Sequence, residues 1–321
     1  MIFFIAAAFI AGLLVVGFWL YTPDLSPTLL AVRYGVAETD FVEVAGVRLR
    51  IKDQGPQLET AILLLHGFGA SLETWLPWAA EISQRFRVVS VDLPGFGLTG
   101  PDPSGDYSDQ RTVELMVALL VKLRLSRVSI IGNSLGGKIA WQLAASHPGL
   151  VASLVLVSPD GFASPGFEYG KPSKLPWIMK LLPYTLPRAM LRMNLAVAYA
   201  QPKRLTHDTL RRYEDMMLAP GNRRAMLARM EQVMLVPPEP QLRRISAPTL
   251  ILWGEQDKMI PYRNASDYLS AIAGSTLVAS PGLGHVPFEE DPAASLPPVL
   301  EFLTTHHRLA SALSIAPTSG L

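Results

Sequence analysis

RVSIIGNSLGGKIAW, residues 127–141, is the stretch around which the chain is organised. Val128, Ile130 and Ile131 read as a short buried strand, and Leu135, Ile139 and Leu143 then fall at helical spacing. Between the two runs sits Gly132-Asn133-Ser134-Leu135-Gly136, a G-x-S-x-G turn. A strand that becomes a helix without an intervening loop leaves its turn residue exposed and strained. The backbones on either side pass each other only where Gly132 and Gly136 carry no side chain. The new helix begins with N–H groups that have no partner inside it, and these face whatever Ser134 attacks. A bare G-x-S-x-G is an ordinary loop in most proteins. Its place between strand and helix marks Ser134 as a nucleophile.

A serine hydroxyl near neutral pH needs a base to take its proton, and the base needs a third group to orient it. Of the 6 histidines, His66 follows a buried run directly and reads as a residue that holds its loop. His147 precedes Pro148 at a helix end. His207, His306 and His307 read as surface residues. His285 differs, because it lies in Ser280-Pro281-Gly282-Leu283-Gly284-His285-Val286-Pro287, a glycine-rich loop after a strand. Such loops line the functional edge of an open α/β sheet, so His285 is the candidate base. The acid is expected between serine and histidine in chain order. Asp257, after the strand Thr249–Trp253, fits best; Glu255 and Asp160 are its rivals. Asp92 comes before the elbow and reads as a brace between loops. A tetrahedral oxyanion needs two N–H donors, for which the backbones of Leu135 and Phe68 are the candidates.

The remaining pattern is a parallel sheet. Ala61–Leu65 and Arg87–Val91 are continuous apolar runs that end in His66-Gly67-Phe68-Gly69 and Asp92-Leu93-Pro94-Gly95-Phe96-Gly97. With Leu154–Val157, Thr249–Trp253 and Thr276–Ala279 they indicate strands covered on both faces, separated by helices near 108–124, 262–273 and 291–307. Phe41–Val44 and Val47–Ile51 alternate around Ala45-Gly46 as a hairpin. The expected division is an anchor at 1–21, a tether at 22–39, a core at 40–160 and 246–307, a helical lid at 161–245 and a disordered tail at 308–321.

Ile2 to Leu20 carries no charge and is just long enough to span a bilayer, with Trp19 and Tyr21 at the interface. A cleaved signal peptide is the rival reading. It lacks a Lys or Arg ahead of the apolar run and a clean small-residue cleavage site. The orientation of such an anchor is left open. The chain has no Cys and a net charge of +1, which excludes thiol chemistry and argues against a nucleic-acid partner. The charge is uneven. Residues 161–245 hold 14 Lys/Arg against 6 Asp/Glu, and the remainder is correspondingly acidic.

HGFG at 66–69, DLPGFG at 92–97, GNSLGG at 132–137, WGEQDKMIP at 253–261 and GHVPFEEDP at 284–292 together make the chain resemble the α/β-hydrolase fold family over roughly residues 40–305. The resemblance implies an eight-stranded, mostly parallel sheet, no metal or other cofactor, and a lid inserted after the sixth strand. It carries nucleophile, acid and base onto Ser134, Asp257 and His285. Within the family the pattern is similar to membrane-anchored lipases and esterases of the monoacylglycerol lipase type. It is also similar to the C–C hydrolases of meta-cleavage products, which usually have an aromatic residue where this chain has Val286. A catalytically silent ligand receptor on the same fold is the remote alternative.

The expectation is therefore a serine hydrolase of carboxylic esters that bear an acyl chain. The lid supplies Trp177, Ile178, Leu181, Leu182 and many methionines, which adapt to flexible alkyl chains. Lys171, Lys174, Lys180, Arg188 and Arg192 rim this apolar surface, a combination that suits a membrane face.

Overall fold

The computed structural model describes Phe4 and residues 20–163, 168–171 and 175–314, with side chains of the last helix as far as His306. Its centre is an eight-stranded sheet in the order β1-β2-β4-β3-β5-β6-β7-β8. The strands are β1 Phe41–Val44, β2 Val47–Gln54, β3 Thr60–Leu65, β4 Val88–Val91, β5 Arg127–Asn133, β6 Val151–Val157, β7 Thr249–Gly254 and β8 Thr276–Ser280. β2 runs antiparallel to both β1 and β4, and the other pairs are parallel. The longer helices are α1 Pro27–Tyr34, α2 Leu76–Ile82, α3 Asp109–Lys122, α4 Leu135–Ser146, α5 Arg188–Ala196, α6 His207–Met217, α7 Asn222–Gln232, α8 Asn264–Ala271 and α9 Pro297–Ser314.

The continuous apolar runs are central strands because both of their faces are buried. Leu63, Leu65, Ile130 and Ile251 pack with α3, α4 and α8 on one face. Ile62, Leu64, Ile131 and Leu252 pack with α2 and α9 on the other, around Trp75, Trp78 and Phe288. Register brings the strand ends level: Leu65 pairs with Gly132, Asn133 with Val157 and Gly254 with Ser280. The loops that follow β3, β5, β6, β7 and β8 therefore open on one edge of the sheet.

Residues 22–39 are not a free tether. Ser26 caps α1 by accepting from the Leu29 N–H, Pro27 occupies its first turn, and Gly35 closes it at φ 60°. A serine, a proline and a later glycine at these spacings are the start and stop signals of a helix, although as isolated breakers they resemble a linker. α1 is docked on the lid. Arg33 Nη1 donates to both carboxylate oxygens of Asp215 at 2.7 Å, and the Tyr34 hydroxyl adds a bond at 2.8 Å. Leu30 is fully buried. Upstream, Asp24 pairs with Arg223 at 2.7 Å, and the Thr22 N–H donates to the Tyr184 carbonyl at 2.9 Å.

The segment expected as a lid, called the lid for its place in the chain, runs between β6 and β7 and is built from α5, α6, α7 and short turns. Four of its cations hold it to the rest of the chain. Arg212 pairs with Glu289, Arg204 with Asp291 at 3.1 Å, and Arg223 with Asp24. Arg229 is buried against Thr112 at 3.0 Å, with Asp109 nearby. Of the expected basic rim, Lys171 pairs with Glu168 and Arg188 with Glu214. Lys174 lies outside the described residues. Lys180 and Arg192 are exposed and form no ion pair among the described residues. The opposite charges of lid and core thus serve first as an adhesive between them.

The last helix reaches Ser314, so the segment expected as a disordered tail begins inside α9; residues 315–321 lie outside the described set. Ala310-Ser311-Ala312-Leu313 contains no breaker before Pro317, and the helix has no local reason to stop earlier. The apolar segment Ile2–Leu20 also lies outside the described residues except for its Phe4 and Leu20. Among the described residues no helix is long and apolar enough to cross a membrane.

Replacing Asp215 by Ala should free α1. Arg33 is exposed and can rehydrate, so the stability loss comes mainly from the Tyr34 hydroxyl, which is left without its acceptor. Denaturant melts measure this, and tryptic cleavage after Arg33 should accelerate in parallel. Equal cleavage rates in wild type and variant would show that the pair does not hold the helix.

Candidate active site

Ser134 stands at the junction of β5 and α4 with φ 51° and ψ −118°. This lies in the positive-φ range that costs a side-chain-bearing residue free energy. The packing leaves no alternative. A Cβ on Gly136 would fall 2.1 Å from the Leu65 carbonyl oxygen, and one on Gly132 would fall 2.4 Å from the Gly136 oxygen. The Ser134 N–H donates to Val157 O at 3.2 Å, and its carbonyl accepts from the Asp160 N–H at 3.0 Å. Its hydroxyl is not spent as a helix cap and forms no hydrogen bond among the described residues.

His285 and Asp257 meet directly, with Nδ1 of the imidazole 2.7 Å from Oδ2 of the carboxylate, and both are buried. The second oxygen of Asp257 accepts from the N–H groups of Met259 and Ile260 at 2.8 and 2.9 Å, which fixes the direction of the first. The rivals are placed elsewhere. Glu255 is exposed. Asp160 uses its carbonyl to accept from Trp141 Nε1 and the Tyr268 hydroxyl at 3.0 and 2.9 Å. Burial pushes its carboxyl pKa up, against the pull of Lys138.

Asn133 ties the elbow to the histidine loop, and sequence reasoning passed over it. Its Nδ2 donates to Val157 O at 3.0 Å and to the carbonyl of His285 at 3.1 Å. The elbow and the histidine loop are thus bonded through the residue next to Ser134. The loop after β3 closes the third side: a Cβ on Gly67 would lie 3.2 Å from the Ser134 Cβ. Phe68 is the next residue on that loop, and Leu135 is the first residue of α4. Neither of their backbone N–H groups donates to a protein acceptor among the described residues. Met226 of the lid reaches this loop, its Cε 3.6 Å from a Cβ position on Gly69.

The loop itself is set by His66. The Leu93 N–H donates to Nε2 at 3.0 Å, so Nε2 carries no proton and Nδ1–H donates to Gly67 O at 2.7 Å. Burial holds the His66 pKa down to about 4. Asp92 braces the same region by accepting from the N–H groups of Leu72 and Leu98 at 2.6 and 2.8 Å. Arg50 bridges it to Glu73. Burial pushes Asp92 up against the pull of Arg50, with Glu73 pushing the same way.

The other described histidines stand apart, His147 on Ser146, His207 on Arg188 and His306 against Phe302. Val286, the position expected to separate the chain from C–C hydrolases, is buried in the layer around Trp75 and Phe288. It therefore reports packing rather than the shape of a pocket. A cleft of about 520 Å3 lies between α1, β1 and the loop 97–101, and none of the candidate residues lines it. No cluster of three or more His, Asp or Glu among the described residues is arranged to hold a metal ion.

Residues 60–292 match the model of the alpha/beta hydrolase fold. The chain belongs to the α/β-hydrolase family. As an α/β hydrolase it is 33% identical over 281 residues to an uncharacterised protein of Mycobacterium tuberculosis, with 83% of this chain and 81% of that one covered. The human monoacylglycerol lipase ABHD6 is 26% identical over 268 residues, covering 78% of this chain and 77% of the lipase. The 2-hydroxy-6-oxo-6-(2'-aminophenyl)hexa-2,4-dienoic acid hydrolase of Metapseudomonas resinovorans is 27% identical over 281 residues, covering 82% and 90%. Fold and relatives together support a hydrolase.

The neutral His66 gives a pH test. Its folded pKa, about 4, lies below the ordinary 6.5. The unfolded chain therefore takes up the proton first, and the stabilisation, complete above about 6.5, is lost as pH falls toward 4. Asp92, shifted upward, contributes with the opposite sign. The measure is therefore the difference in melting temperature between wild type and His66→Gln. That difference should shrink as pH falls from 7 to 4.5; a constant difference would mean that His66 does not titrate in this way.

Proposed function

We propose that the protein is a serine hydrolase of carboxylic esters that carry an acyl chain. The observation that carries this reading is the buried His285–Asp257 pair, 2.7 Å apart, bonded through Asn133 to the turn that presents Ser134. In this reading His285 Nε2 takes the proton as Ser134 Oγ attacks the ester carbonyl. The oxyanion collects the unspent N–H groups of Phe68 and Leu135. Collapse expels the alcohol, which receives the proton from His285 and leaves an acyl-enzyme. Water then attacks by the same route and releases the acid. Asp257 holds the ring in the tautomer that keeps Nε2 bare and stabilises the imidazolium as it forms.

The acyl chain is argued from the apolar lid above the site, with Met226 against the loop of Phe68, and from the monoacylglycerol lipase among the relatives. A second reading, hydrolysis of a meta-cleavage product, draws on the hexadienoic acid hydrolase, which aligns over as much of this chain. Assay of both substrate classes on one preparation separates the two.

The proposal extends to the membrane. Ile2–Leu20 would anchor the chain, and the residues that follow it lead straight to the lid: Thr22 bonds to Tyr184 and Leu186. Trp177, Ile178, Leu181 and Tyr184 are exposed beside that junction, with Lys180 nearby. A lid turned toward lipid would draw long-chain substrate from the bilayer.

Three outcomes are expected. Ser134→Ala should abolish ester turnover and fluorophosphonate labelling, and His285→Ala should cost at least ~10³-fold; stoichiometric labelling of the Ala variant would sink the assignment. Asp257→Asn should lower turnover by orders of magnitude while Asp160→Asn changes it little, and the reverse ranking would move the acid. Changing Trp177 and Ile178 to Ser and Lys180 and Arg192 to Glu should cut hydrolysis of a long-chain ester in anionic vesicles and spare a short soluble ester. Deletion of residues 1–21 should do the same. An equal effect on both esters would make this face an ordinary solvated lid.

A further inference from the structure

We infer that Glu290 is a positioning residue for His285, stitching the loop that carries the histidine to the inner edge of the lid. The inference rests on the reading of His285 as the general base. Glu290 is buried, and its carboxylate is spent on backbone. Oε2 accepts from the N–H groups of Gly284 at 2.8 Å and Ala200 at 3.0 Å, and Oε1 accepts from Gln201 at 2.8 Å. Gly284 immediately precedes the histidine. The N–H of His285 itself donates to the lid carbonyl of Ala198 at 2.7 Å. Loop and lid touch main chain to main chain: a Cβ on Gly284 would fall 2.5 Å from the Ala198 oxygen and 2.6 Å from the Ala200 nitrogen.

This contact has a mechanical consequence. Asp257 orients the imidazole through Nδ1, but it does not determine where the Cα of His285 sits. That is fixed from one side by Asn133, on the carbonyl of His285, and from the other by Glu290 and Ala198. The distance between Nε2 and Ser134 therefore depends on a lid segment that touches neither. Removal of the Glu290 carboxylate leaves three N–H groups unpaired in a buried seam, and the seam relaxes to rehydrate them. A shift of about 1 Å in a reacting group is enough to cost on the order of 10²-fold in rate.

Glu289 supplies the internal control. Its side chain is also buried in the lid contact, but its partners are the side chains of Thr74, Arg212, Tyr199 and Tyr213. It bolts the lid to the segment after the histidine without touching residues 284 or 285. Two adjacent glutamates of GHVPFEEDP thus fasten the same lid, and only one of them holds the base.

The test compares variants of the full chain on p-nitrophenyl acetate, a soluble ester too short to depend on the lid surface. Glu290→Ala should lower kcat by about 10- to 100-fold with KM changed less than about threefold. Glu290→Gln keeps an oxygen for Gly284 and Ala200 and should return kcat to within about fivefold of wild type. Glu289→Ala should leave kcat within about threefold. In parallel, the downfield proton resonance of the His285–Asp257 hydrogen bond should broaden or vanish in Glu290→Ala and persist in Glu289→Ala. Unchanged kcat in Glu290→Ala, a loss confined to KM, or equal kcat losses in the two Ala variants would overturn the role. If Glu290→Ala does not fold, Glu290→Asp, one methylene short of Gly284, must show the same ranking. If wild-type enzyme neither turns over ester nor labels at Ser134, the serine hydrolase reading fails. The resonance then decides alone: its persistence in Glu290→Ala overturns the positioning role, and its selective loss upholds it.

Discussion

Ser134 is held at positive φ because three main chains pass within contact distance at one point, and the rest of the site depends on that crossing. The end of β3, the end of β5 and the first turn of α4 meet where Gly132 and Gly136 stand, with the Leu65 carbonyl 2.1 Å from the place a Gly136 Cβ would occupy. No side chain fits, so the crossing tolerates one residue type at two positions. What it yields is a serine whose hydroxyl is excused from capping, and a helix whose leading N–H groups are open. Strain of this kind persists only where its surroundings over-determine it. Here the backbone hydrogen bonds of Ser134 with Val157 and Asp160, and the two that Asn133 Nδ2 donates to the carbonyls of Val157 and His285, do so.

Around this crossing, buried polar groups act as fasteners between loops that apolar packing alone would leave loosely related. His66 is a structural imidazole with both nitrogens committed to backbone, and it sets the path of the loop that carries Phe68. Asp92, Arg50 and Glu73 tie that loop to β2 and to the turn before α2. Each of these groups would be costly if left unpaired; His66 and Asp92 are answered by main chain, and Arg50 and Glu73 by each other and by Asp92 and Ser71. The arrangement makes the candidate site stiff where the chemistry needs fixed distances.

The lid is joined to the core by charge. Its Arg204, Arg212 and Arg223 meet Asp291, Glu289 and Asp24, and the one long-range pair of opposite sense runs from Arg33 of α1 to Asp215. The excess of cations in residues 161–245 suggests an anionic surface outside the molecule, and part of it is answered inside by Asp24, Asp109, Glu289 and Asp291. What remains outward is the apolar group around Trp177 together with Lys180, Arg192, Lys203, Arg224, Arg243 and Arg244. The proposal of a membrane-facing lid draws on that apolar face, on those cations and on the junction with Thr22.

The sequence by itself determined the sheet and the elbow, and it singled out Ser134, Asp257 and His285 as candidates. Each of these is written in a local pattern: an apolar run too continuous for a one-sided strand, two glycines around a serine, an acid and a histidine directly after strands. It also contained the signals for α1, since Ser26, Pro27 and Gly35 are helix boundaries. With few residues between them, their meaning turned on whether Leu30 had anything to pack against, which is a tertiary question. The roles of Asn133, Glu289 and Glu290 were decided only by the fold. A side chain that bonds the backbone of a segment tens or hundreds of residues away, as Asn133 does with His285, leaves no spacing for a sequence to display. The same is true of the lid's charge. A count of cations is local, but whether they face water or a buried carboxylate depends on which surfaces the folded chain brings together.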